Sequence, residues 1–123
     1  MHVRALLATT SSMVAELPED PGAPLRAWVA LGSPCTSVFV PVFPPEHVPA
    51  ALAEPATWHR FATLRDRVEA EPGALTGVRA VLGPVETDLW EEADAAAADA
   101  SDREAFAARA WDAVDTALRR LGV

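Results

Sequence analysis

Thr9-Thr10-Ser11-Ser12-Met13-Val14-Ala15-Glu16-Leu17-Pro18, followed by Trp28-Val29-Ala30-Leu31-Gly32-Ser33-Pro34-Cys35-Thr36-Ser37-Val38-Phe39-Val40-Pro41-Val42-Phe43, decides the fold class. In residues 10–17 the side chains alternate. Thr10, Ser12, Val14 and Glu16 share one face, and Ser11, Met13, Ala15 and Leu17 the other. That period of two predicts a half-buried strand with its Met13/Leu17 side toward the core. Residues 18–24, Pro-Glu-Asp-Pro-Gly-Ala-Pro, are dense in breakers and predict an exposed connection. Residues 25–31 resume as an apolar strand carrying Trp28, and an antiparallel hairpin is the economical pairing of the two.

Gly32-Ser33-Pro34 ends that run. Residues 37–43 are extended again, with Val38, Val40 and Val42 on one side and Phe39 and Phe43 on the other. A strand that is apolar on both sides needs cover on both. Pro41 within it places it at a sheet edge or a strand end, because proline cannot donate to a ladder.

The period then changes. Pro44, Pro45, Pro49 and Pro55 mark residues 45–57 as a linker, with a short helical turn around 48–52. Trp58, Phe61, Leu64 and Val68 recur at three or four residues, the spacing of one helix face, with Arg60, Asp66 and Arg67 turned outward. Glu71-Pro72-Gly73 ends that helix. Leu75, Val78, Leu82, Val85 and Leu89 mark a second amphipathic stretch. Gly83-Pro84 interrupts it, as either a kink or the first turn of a new helix. Ser101 and Glu104 form a capping-box pair opening a last helix. Its stripe is Phe106, Ala110, Val114, Ala117 and Leu121, and Gly122 is placed to end it. The expectation is a single α+β unit: strands in residues 1–44, a proline-rich linker over 45–57, and helices over 58–122.

Composition narrows the function classes. The chain has 123 residues and a net charge of −8. Residues 1–50 set four acids against two arginines, so most of the excess negative charge lies in the helical half. An acidic chain offers no electrostatic footprint for a phosphate backbone or an anionic lipid surface, so neither nucleic acid nor membrane is an expected partner. Half the residues are hydrophobic, yet no apolar run reaches the length of a membrane span. The opening residues 1–10 have too short an apolar core for a signal peptide. The single cysteine, Cys35, rules out an intrachain disulfide and fits a reducing cytoplasm, the expected location. The absence of Lys, Ile, Tyr, Asn and Gln beside abundant Ala, Pro and Arg reads as codon bias in a GC-rich genome.

Candidate chemistry is thin. Cys35 has no neighbouring histidine in a protease-like context and reads as a small packed thiol. His2, His47 and His59 fit no metal-ligand spacing. Glu86, Asp88, Glu91, Glu92 and Asp94 lack the glycine-centred pattern of a calcium loop and read as a solvated helix face. Trp58 and Trp111 read as packing anchors, while Trp90 stands one residue off its stripe and is free to meet a partner. Ser11 and Ser12 sit in no nucleophile elbow. No catalytic residue, metal ligand or cofactor-binding residue is assigned.

The motifs Thr-Thr-Ser-Ser-Met-Val-Ala-Glu-Leu-Pro and Gly-Ser-Pro-Cys-Thr-Ser-Val-Phe-Val-Pro-Val-Phe, with the weaker Trp58-His59-Arg60-Phe61, resemble the carboxy-terminal part of the secernin family. Secernins are relatives of the cysteine dipeptidases among the N-terminal-nucleophile hydrolases. The resemblance implies late antiparallel strands and covering helices of an αββα sandwich. It also implies hydrolysis of amide or peptide bonds by an amino-terminal cysteine, with the α-amino group as base. Position 1 here is Met and position 2 His. Cys35 is internal, so no nucleophile role is carried to it. The resemblance therefore implies a peptidase segment inactive alone, whose partner is the amino-terminal half of the same hydrolase or a second copy. The residues read without it leave a different expectation, a non-enzymatic α+β interaction module.

Overall fold

The computed structural model describes residues 9–123. Three strands come first: β1 (Ser11–Glu16), β2 (Arg26–Leu31) and β3 (Val40–Val42), joined as an antiparallel meander in the order β1-β2-β3. Three helices follow, α1 (Pro55–Ala70), α2 (Leu75–Ala96) and α3 (Ala100–Arg120). The architecture is α+β.

The hairpin is in the expected place. Ser11 pairs with Leu31 and Glu16 with Arg26, and the Asp20 carboxylate turns the connection by accepting from the Gly22 amide at 2.9 Å. The inward face expected for β1 is corrected. Met13 is 70% exposed and Leu17 82%, and Val14 on the opposite side is 56% exposed. Among the described residues nothing covers either face of β1 fully, and only Ser12 in it is half-buried. The core begins at β2. Ala27, Val40 and Val42 are buried, and Val29 packs against them.

β2 ends at Gly32, whose φ of +76° reverses the chain; a Cβ there would lie 3.4 Å from the Cβ of Phe61. Glycine alone takes that backbone without strain. A 3-10 turn over Pro34–Thr36 leads into β3. The cover expected over residues 37–43 is present and comes from this chain. Ser37, Val38, Val40, Pro41, Val42 and Phe43 are buried, and Phe39 is half-buried.

α1 begins inside the expected linker, because Pro55 has the fixed φ that suits a first helical turn. It buries Phe61 and Leu64, and Arg60 is drawn inward to pair with Asp115 at 2.7 Å. α2 runs unbroken through Gly83-Pro84, burying Val78, Leu82, Leu89, Ala93 and Ala96. The cap of α3 is corrected. Asp99, not Ser101, is the N-cap, its carboxylate accepting from the amides of Ser101 and Asp102. Aspartate caps as well as serine does, and the earlier start adds residues to the helix. Phe106, Ala110, Val114, Ala117 and Leu118 face the core, and Gly122 closes the helix at φ +80°.

Candidate interaction surface at the sheet edges

The two outer strands of the sheet are treated differently. Residues 37–39 lead into β3 with backbone groups that point away from β2. Side chains of α2 meet them. Arg79 donates to the Ser37 carbonyl at 2.7 Å, the Glu86 carboxylate accepts from the Phe39 amide at 2.7 Å, and Trp90 Nε1 donates to the Phe39 carbonyl at 3.0 Å. Spacings of seven and four put these three on one helix face. Farther along, Phe43 exchanges both backbone bonds with His47. Between them sits Pro41, which has no amide to present. The β3 edge is thus closed by a helix and a turn, a common protection against further pairing.

Among the described residues the β1 edge has no such cover. Gly32 donates to the Thr10 carbonyl at 2.7 Å, which orients Thr10 toward β2. Backbone direction alternates along a strand, so Ser12, Val14 and Glu16 bond inward while Ser11, Met13 and Ala15 point outward. Among the described residues no strand pairs with that outer side. β1 carries no Lys, Pro or bulge, the usual guards of an edge. Trp58 Nε1 donates to the Thr10 carbonyl at 2.8 Å and ties the start of β1 to α1.

Beside this edge lies an apolar cleft of about 250 Å³ lined by Val14, Trp28, Phe39 and Trp90. The rings of Trp28 and Trp90 stand 5.8 Å apart at a tilt. Arg26 sits 5.7 Å from the Trp28 ring centroid and pairs with Asp94, clamping β2 to α2. Trp90 remains 44% exposed. The expectation that it stands free of its helix stripe is met, and its partner within this chain is the Phe39 carbonyl.

The other candidate residues do not converge. Cys35 is exposed, which corrects its reading as a packed thiol, and its sulfur has no hydrogen-bond partner among the described residues. His2 lies outside the described residues. His47 is half-buried, with Nε2 3.8 Å from Glu46, and exposed His59 stacks edge-on against Trp58. No group of three metal-capable side chains forms among the described residues. In the acidic run, Asp88, Glu91, Glu92 and Asp94 are exposed as expected, while Glu86 is drawn into the β3 edge and also approaches Arg79 at 3.8 Å. Ser11 and Ser12 lie in β1, and neither hydroxyl has a hydrogen-bond partner among the described residues. Among the described residues no helix is long and apolar enough to cross a membrane.

The roles of Arg79 and Glu86 escaped the sequence reading. The signal was present: Arg79, Glu86 and Trp90 share a stripe next to the apolar one, and two of the three are charged groups that could satisfy backbone. Comparison of the chain with protein-family models, curated proteins and solved structures finds no match.

Proposed function

We propose that this chain is a non-enzymatic α+β interaction module that docks an extended partner along the outer edge of β1. The cleft of Val14, Trp28, Phe39 and Trp90 flanks that edge, beside the side chains of the partner. β1 itself carries the reading: its outward amides and carbonyls are unpaired among the described residues and both its faces are exposed. The opposite edge, by contrast, is closed by three side chains of α2. Strand addition at an open edge takes affinity from main-chain bonds and selectivity from pockets for alternate side chains, and both parts are present here.

The test is amide exchange on the isolated chain with short extended peptides. Protection is expected at Ser11, Met13 and Ala15, with the inward amides of Ser12 and Val14 unchanged. Dipeptide hydrolysis by the chain that disappears in Cys35→Ala would overturn the non-enzymatic reading.

A second reading follows from the secernin resemblance: the carboxy-terminal segment of an αββα cysteine hydrolase, inactive until joined to its amino-terminal half. The open β1 edge favours it, since a further strand of a larger sheet would complete that edge. The burial of residues 37–43 from within this chain weighs against it, because a sandwich strand would take part of its cover from a second sheet. Amidase activity that arises on co-expression with an amino-terminal half, and not otherwise, would support it.

A further inference from the structure

We propose that the occupant of the β1 edge is β1 of a second copy of this chain, joined antiparallel about a two-fold axis at Met13, so that two three-stranded sheets become one of six strands. This rests on the reading of β1 as a docking edge and names the partner.

The edge is self-complementary. Its outward residues are Ser11, Met13 and Ala15, evenly placed about Met13. In an antiparallel match centred there, Ser11 stands opposite Ala15 of the partner subunit and Met13 opposite Met13 of the partner subunit. Each outward amide then meets an outward carbonyl, with none left over. A two-fold contact uses the same patch on both copies, and a strand symmetric in its backbone demand meets that condition.

The charges agree with the same register. Glu16 is the one charged residue of β1. It falls opposite Thr10 of the partner subunit, so the two Glu16 carboxylates do not face each other; like charges directly opposite would disfavour the pairing. A partner chosen by charge would find only Glu16 to read along this strand. On one face the two Met13 side chains meet, each now 70% exposed. On the other, Val14 meets Ser12 of the partner subunit beside the aromatic cleft. Among the described residues no strand occupies the outer side of β1, where a neighbouring strand would lie about 4.8 Å away.

Sedimentation velocity of the full chain, from micromolar to several hundred micromolar, tests this. A monomer–dimer equilibrium is expected, tightening as salt screens the −8 charge on each copy. Met13→Lys and Met13→Glu, measured separately, set like charges face to face on the axis and should each weaken association about tenfold or more. An equimolar mixture of the two should restore it as a heterodimer. Unchanged circular dichroism and unfolding midpoints in both variants show that the fold survives. A wild-type monomer throughout the range, or a dimer indifferent to both substitutions, overturns the proposal. In the monomer case, an eight-residue alternating Thr-Val peptide separates the two ideas. Protection of the Ser11, Met13 and Ala15 amides by it keeps β1 as a docking edge and removes only the second copy; no protection removes both.

Discussion

Glu86 shows how one carboxylate can be structural inside a run that looks merely solvated. Its Oε2 accepts from the Phe39 amide at 2.7 Å while its Oε1 lies 3.8 Å from Arg79, which in turn holds the Ser37 carbonyl. Removing the carboxylate strands an amide beneath α2 and leaves Arg79 without its acid. Glu86→Ala should therefore cost about 1–3 kcal/mol, the usual penalty for a partly buried donor left unmade. Glu86→Gln keeps an acceptor of the same shape and should recover most of that loss. Glu91→Ala, on the exposed side of the same helix, should stay within about 0.5 kcal/mol. Urea unfolding of the three variants checks the order. Equal effects at Glu86 and Glu91 would mean that the Phe39 bond contributes nothing.

Among the elements, β1 separates what strand pattern tells from what it does not. Alternation located the strand and the hairpin, but it named Met13 and Leu17 as the buried side, and both are exposed. Periodicity specifies which residues share a face, not whether anything lies over that face; the cover depends on where helices of distant sequence come to rest. The same limit explains the helical half. The stripes of α1, α2 and α3 were legible because they follow one period, and Phe61, Leu82 and Phe106 are indeed fully buried. The Arg79–Glu86–Trp90 face was hidden because its partners, Ser37 and Phe39, lie some forty to fifty residues away. Asp99 displaced Ser101 as cap because two good capping residues stood close together, and local pattern does not rank them. The outward and inward parity of β1 is itself testable. Val14→Pro removes an amide bonded to β2 and should cost about 1–3 kcal/mol, whereas Ala15→Pro removes one that faces outward and should cost clearly less. The reverse order in thermal unfolding would mean that the strand is rotated by one residue from the described register.

At the scale of the whole molecule, sheet and helices depend on one core. Val40, Val42 and Phe43 from the strand side share it with Phe61, Leu64, Leu82, Leu89, Phe106 and Val114 from the three helices. Phe43 meets Phe106 edge-on, with ring centroids 6.1 Å apart, so one contact joins the strand region to the last helix. Phe106 is 0% exposed, and truncating a buried phenylalanine usually costs about 3–5 kcal/mol through lost burial and the cavity left behind. A chain of this size holds about 6–18 kcal/mol in total, so Phe106→Ala should lower the unfolding midpoint severely yet leave a folded population near room temperature. The stronger expectation concerns cooperativity. Helical circular dichroism follows α1 to α3, while tryptophan fluorescence, in a background carrying Trp58→Phe and Trp111→Phe, follows Trp28 on β2 and Trp90 at its cleft. With a single shared core, the two signals should melt together in that background and in Phe106→Ala made within it, and shift by the same amount. Helical signal that outlasts the tryptophan transition would mean that the helices hold their own core and the sheet merely rests on it. Residues 37–43 would then owe their cover to a weaker contact than their burial implies.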